Sequence, residues 1–407
     1  LVSIELVILA RLLGLEKFGL FSVVIAYVNI LNSFVDFRVW EASIRYVGEF
    51  LEKKENDKTL SMIKFSFLVD VLTGIIAFVL SVLLAKIAND YFVKSENGVE
   101  FIIIYSISLL VSTANTTADA LFRIFDKFKT IAFVNSSEAL FRLALVSIVL
   151  ILGYEIREVL FVYVLAAFFG FAIRQATVYR MLSGKNFNNW LLSPLKLLLP
   201  RLKEITWFLL NTSFNSTLKM ANEGNIATLF LGHFFGNQEA GLYKVARSVI
   251  KGMAKIVDPV YEAIYPKLVS LSSQNLYEKS ADIIKFALKS LLKFTLPVAA
   301  VILIFTEAII NLIFGSEYTQ AANTMRILTL ASLFSGSTFW VTPSLLALGR
   351  PGFRTAINLF KTIIFIVLLL IFVPTYSYVG AAVSYLLAEI INFFISIYLK
   401  KGLTKQI

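Results

Sequence analysis

The chain has no cysteine and a single histidine, His233. Disulfides, thiol catalysis and thiolate metal sites are thereby excluded, as is a metal centre built on a histidine cluster. His233 alone reads as an interfacial histidine. Charge is also scarce, at 16% of the 407 residues, against about 25% in soluble domains. No Gly-x4-Gly-Lys-Ser/Thr loop occurs, since Gly14 to Gly19 is followed by Leu20-Phe21. No polar stretch is long enough for an ATPase domain, and the longest loops run to about thirty residues, so ATP-driven export by this chain alone and catalysis in general find no foothold. A cleavable leader pattern is missing too.

What remains is apolar. Hydrophobic residues make 58% of the chain, Phe alone occurs 37 times, and mean hydropathy is +0.78. Runs of spanning length leave one class, an all-α integral membrane protein. Spans are expected near 1–10, 18–37, 63–85, 101–120, 131–152 and 158–178. A second set falls near 205–231, 241–263, 286–313, 322–347, 356–373 and 378–399. Residues 1–10 read as the tail of a helix that begins upstream. This gives about twelve helices: an N-terminal bundle over 1–180 with its first helix truncated, a cytoplasmic linker over 181–204, and a C-terminal bundle over 205–407.

The excess of eleven positive charges reports topology rather than nucleic acid. Segments 38–64, 121–130, 174–203, 267–293, 350–361 and 400–407 hold 26 of the 38 Lys and Arg, and the alternate loops hold 8. The first set is therefore placed in the cytoplasm, with both termini of a complete chain inside. The linker stretch LLSPLKLLLP is expected to lie along the interface.

A repeat runs at an offset of 222. Gly14, Gly19 and Leu20 match Gly236, Gly241 and Leu242; Val35-Asp36 matches Val257-Asp258; Arg45 matches Lys267. Phe128-Lys129-Thr130 echoes Phe353-Arg354-Thr355 near offset 225. Six helices return the chain to its starting side, so the copies share an orientation and are related by a pseudo-two-fold along the membrane normal.

One helix carries a polar stripe: Lys244, Arg247, Lys251, Lys255, Asp258 and Glu262 share a face over about 27 Å. Charges at bilayer depth are costly unless they face protein or water, so the stripe is expected to line a hydrated cavity, with Lys219 on the preceding helix extending it. Lys244 and Arg247 could equally snorkel to the outer interface. The repeat-equivalent face in the first half is polar without cations and includes Asn29, Ser33 and Asp36, suited to sugars. Asp36 and Asp258 could instead be structural. Lys219/Glu223 and Glu138/Arg142 are i,i+4 pairs expected to neutralise each other. Asp70, Asp119, Glu307 and Glu389 lack a sequence-local partner, and cross-helix pairing is expected for them. Asp70, Asp258 and Glu262 are the acids held for a coupling or structural role, with H⁺ or Na⁺ as the coupling ion and no other cofactor. Pro297 and Pro343 are hinge candidates.

Leu9 to Phe21 (LARLLGLEKFGLF) is similar to the ARxLGPxxFG opening of polysaccharide flippases of the multidrug/oligosaccharidyl-lipid/polysaccharide exporter superfamily. Gly236 to Tyr243 and Ala347-Leu348-Gly349-Arg350-Pro351 resemble further family features, and Leu15 stands where the family has Pro. The resemblance covers nearly the whole chain. It implies a V-shaped pair of six-helix bundles that moves a polyprenyl-pyrophosphate-linked oligosaccharide across the cytoplasmic membrane by alternating access. A polysaccharide polymerase or glycosyltransferases of the same pathway are expected as partners, and the protein is expected to act as a monomer. Rival readings are an organic-cation antiporter, which wants an acidic aromatic pocket, a membrane-embedded glycosyltransferase or polymerase, which wants a large catalytic loop, and a lipid-binding assembly subunit.

Overall fold

The computed structural model describes residues 1–184, 187, 189–220, 224–274, 276–348 and 350–405. Their regular structure is entirely helical. The principal helices are α1 (Val2–Val35), α2 (Asn56–Leu83), α3 (Gly98–Ser106), α4 (Leu109–Ile124), α5 (Phe128–Ile151), α6 (Ile156–Ser183) and α7 (Leu202–Met220). They continue with α8 (Ile226–Phe234), α9 (Asn237–Ser273), α10 (Tyr277–Ile304), α11 (Thr306–Ile313), α12 (Ala322–Ser337), α13 (Val341–Ala347) and α14 (Pro351–Lys405). Seven helical stretches among the described residues are long and apolar enough to cross a bilayer, which makes this a multi-pass membrane protein. The stripe-bearing α9 is not among the seven, because its charges lower its hydropathy.

Local chemistry sets the breaks. The expected spans 1–10 and 18–37 are one element, α1, bent at Gly14, whose φ of 72° is open to glycine and strained for other residues. The last two spans likewise form α14, interrupted at Ser377 (φ 48°) just after Pro374, where the ring removes a ladder hydrogen bond. A reciprocal capping box between Glu155 and Glu158 starts α6.

The interior is more polar than the perimeter, as lipid demands. On α2, Leu72, Ile76 and Leu83 are exposed, while Ser66, Asp70, Thr73 and Ser81 are buried. Ser66 meets Ser43 at 2.8 Å and Ser81 meets Ser106 at 2.6 Å. With hydrocarbon outside, such polar contacts supply the helix-to-helix adhesion that water-driven burial supplies elsewhere.

The chain divides into two compact units. One comprises Leu1–Leu13 and Val23–Met220, the other Gly14–Ser22 and Ala221–Ile407. The division falls at Met220 and not in the 181–204 linker, because α7 packs on the first unit: Ile205 and Leu209 join a core with Tyr46, Phe50, Met62 and Leu121. The Ser213 hydroxyl donates to the Asp36 carbonyl at 3.0 Å. The linker end is clamped there too. Arg201 reaches both oxygens of Glu49 (2.7 and 3.1 Å) and Glu204 (3.0 Å), and stacks over Tyr46.

Within the second unit, the short Gly14–Ser22 piece of α1 lies against the start of α9. A Cβ on Gly19 would fall inside the Asn237 carbonyl, and one on Gly241 would sit 3.2 Å from Gly19 Cα. The two repeat-matched glycines therefore meet each other. Their conservation of size across the 222-residue offset has a direct steric reason, two backbones in contact.

Candidate functional site

In the first unit, α1, α4, α5 and α6, with Tyr105 at the end of α3, line a half-open polar cavity of about 290 Å³. Asn29, Asn32 and Asp36 of α1 and its C-terminal end line one side; Tyr105, Ser112, Thr116 and Tyr163 are also among the lining groups. Glu138 and Arg142 complete it. Of the polar face expected from sequence, Asn29 and Asp36 are thus brought together. Ser33 is not in the lining; it is buried and its hydroxyl donates to the Ile30 carbonyl at 2.7 Å. Asn32 takes that place, and the 3,4 spacing of Asn29, Asn32 and Asp36 is the helical signal that marks it.

Glu138 and Arg142 do not neutralise each other. Arg142 Nε donates to both oxygens of Glu5, at 2.9 and 3.0 Å, with its guanidinium over the Tyr163 ring. Glu138 accepts from Arg174 Nη1 at 2.6 Å, and the same guanidinium reaches Asp119 at 3.2 Å and Asn135 at 2.6 Å. Cross-helix partners satisfy planar donors better than a neighbour on the same helix can. Asp119, Glu307 (with Arg326, 2.9 Å) and Glu389 (with Lys361, 2.6 Å) do find the cross-helix partners expected of them.

Asp70 is different. It is 1% exposed and accepts from the Thr116 hydroxyl and the Thr117 N–H, both at 3.2 Å, and no described cation pairs with it. Asp36 accepts the Arg38 backbone N–H at 2.8 Å, while the Arg38 side chain is spent on Glu41. Two carboxylates without an ion-pair partner among the described residues thus sit at and behind the cavity wall, with Thr116 in the lining donating to Asp70. Leaving a buried carboxylate ionised and unpaired is expensive, so this wall favours a positively charged guest or a proton.

In the second unit the basic stripe of α9 splits. Arg247 is 8% exposed, its guanidinium 3.9 Å from the centre of the Tyr385 ring. Behind that ring Lys361 pairs with Glu389. Gly224 leaves room for it, since a Cβ there would stand 3.2 Å from Arg247 Nε. Lys244 is half-buried, whereas Lys251 and Lys255 are exposed. Arg247 therefore does not share the surface of the two lysines. The side chains of Lys219, Asp258 and Glu262, and residue Glu223, lie outside the described residues.

A family profile described as polysaccharide biosynthesis protein matches residues 8–323. A probable low-salt glycan biosynthesis flippase, Agl15 of Haloferax volcanii, is 25% identical over 162 residues. That alignment covers 40% of this chain and spans about a third of the relative, 34% of its length. Solved structures that match the fold include an inward-facing multidrug resistance transporter of the MATE family and the lipid II flippase MurJ in an inward closed conformation. The first has a TM-score of 0.80 at 14% identity, covering 99% of this chain and 94% of that one. The second has a TM-score of 0.78 at 16% identity, covering 98% and 84%. At such identities the likeness is one of fold.

Proposed function

We propose that this chain, which belongs to the polysaccharide biosynthesis protein family and with it to the flippases of the multidrug/oligosaccharidyl-lipid/polysaccharide exporter superfamily, translocates a polyprenyl-pyrophosphate-linked oligosaccharide across the cytoplasmic membrane by alternating access. The observation that carries the reading is the exposure of Lys251 and Lys255 one turn apart on α9. Neither is near a helix end, and their exposed amines suit an anion that passes through the membrane. Lys255 makes no ion pair among the described residues. The amide and hydroxyl groups of the first-unit cavity suit part of a glycan, and its volume fits a small unit rather than a whole oligosaccharide.

Asp70, backed by Asp36, is the coupling group in this reading. It takes up H⁺ or Na⁺ in one state and releases it in another, so that an ion gradient gives the cycle its direction. Both termini of the complete protein are cytoplasmic, as the distribution of Lys and Arg favours. The protein acts as a monomer, supplying a polysaccharide polymerase or glycosyltransferases.

The test is glycan export in cells lacking the endogenous gene. Lys251→Ala with Lys255→Ala is expected to reduce export at least tenfold with normal membrane levels of protein, and wild-type export would overturn the binding role. Asp70→Asn is expected to abolish the response of export to the ion gradient. Asp36 and Asp70, which make no ion pair among the described residues, also favour a second reading, an organic-cation antiporter. Ethidium efflux that requires Asp36, in a background with unaltered glycan, would select it.

A further inference from the structure

The helix after the stripe carries a ladder of its own. Along α10, Glu278, Asp282, Lys285, Lys289 and Lys293 recur at gaps of 4, 3, 4 and 4 and share one face. All five are exposed. The seam between α9 and α10 uses other positions: Ile264 and Leu268 on α9 against Ala287 and Leu291 on α10. Lys285, Lys289 and Lys293 make no ion pair or side-chain hydrogen bond among the described residues. Beside them Phe286, Phe294 and Leu296 are exposed as well, the surface expected against acyl or prenyl chains.

The depth of the ladder decides its meaning. α11 follows Ile304 directly, and its Glu307 holds an exposed ion pair with Arg326, so the outer polar boundary lies just past Ile304. Crossing the hydrocarbon takes about 20 residues, and counting back from Ile304 reaches Lys285 at the inner boundary. Lys289 then stands about 6 Å and Lys293 about 12 Å further in. A phospholipid resting in the inner leaflet keeps its phosphate at the level of Lys285 and has no use for Lys293. Snorkelling serves lysines near a helix end and does not serve one two turns inside. A row of exposed cations that climbs from the interface fits an anion that climbs with it.

We infer that Lys285, Lys289 and Lys293 form a phosphate track on α10, along which the pyrophosphate of a polyprenyl-linked substrate leaves the inner headgroup layer while its tail stays against Phe286 and Phe294. This deepens the flippase reading and rests on it. Glu278 and Asp282, on the cytoplasmic turns below the lysines, complement the helix N-terminus and repel anions that have no tail to anchor them in the bilayer.

The test uses the full-length protein in phosphatidylcholine nanodiscs, with undecaprenyl pyrophosphate, phosphatidylglycerol and inorganic pyrophosphate as separate probes. Replacing all three lysines with Gln is expected to weaken undecaprenyl pyrophosphate binding at least tenfold, and replacing all three with Arg to restore it. A photo-crosslinking residue at Phe294 is expected to label the prenyl chain in the wild type, and not in the triple Gln variant. Unchanged binding in that variant overturns the track alone. Equal retention of phosphatidylglycerol, or of inorganic pyrophosphate, by the same lysines overturns the assignment to a polyprenyl carrier. Intact, lysine-dependent binding with no export in cells would overturn the proposed function and leave the track standing.

Discussion

Replacing Lys361 with Met should injure the second unit more than replacing both members of its ion pair. Glu389 is 0% exposed; its Oε1 accepts from Lys361 Nζ at 2.6 Å, and its Oε2 is buried without a hydrogen-bond partner. Lys361→Met keeps the volume of the stem and strips the carboxylate of its counter-charge. Breaking a buried pair from one side costs about 3–5 kcal/mol. Arg247, on the face of the same Tyr385 ring, tempers the loss toward the lower figure. Glu389→Gln leaves an amide that still accepts from Lys361, at a cost of about 1–3 kcal/mol. Lys361→Met with Glu389→Leu removes both charges and should return to within about 1 kcal/mol of wild type or exceed it. Equilibrium unfolding of wild type, Lys361→Met, Glu389→Leu and the double variant in one detergent gives the double-mutant cycle, with Glu389→Gln as a separate comparison. A Lys361→Met penalty below about 1 kcal/mol, or a double variant no better than the single one, would refute the picture of a sealed pair.

Two further outcomes follow from features outside that cluster. Arg201 first, and then Lys53, pull the Glu49 carboxyl from its ordinary 4.5 down to about 2. A depressed acid adds stability above its unfolded pKa and loses it as pH falls toward the folded one. The clamp on the linker should therefore hold at pH 7 and fade between about 4.5 and 2, and Glu49→Gln should flatten melting temperature over that window. Gly19→Leu should abolish stable expression, since even a Cβ collides with the Asn237 carbonyl; Gly48→Ala, where a Cβ meets nothing within 4 Å, should be tolerated.

Periodicity and composition suffice to read the helical membrane class and the polar α1 face at Asn29 and Asp36; the repeat matches Gly19 to Gly241, but only the structure shows that they touch. Such patterns misjudge what depends on neighbours far along the chain. Glu138 and Arg142 look like a local pair because i,i+4 spacing is visible in one dimension, whereas Arg174 and Glu5 compete for them in three. Arg247 belongs to the stripe by spacing, yet Tyr385, almost 140 residues later, captures it. The repeat points to Ser33, whereas the helical face through Asn29 and Asp36 passes through Asn32. The ladder on α10 lies in a segment whose positive charge reads as a cytoplasmic loop, and only the start of the helix at Tyr277 turns its lysines into a face.

The two units exchange short stretches of chain. Gly14–Ser22 is built into the second, and α7 completes the first although it follows the linker. A cut at residues 181–204 would therefore yield two fragments, one without a packing helix and the other without the glycine contact of α1. Split-protein complementation should work only when the break is moved to the neighbourhood of Met220 and the opening helix is supplied to both partners.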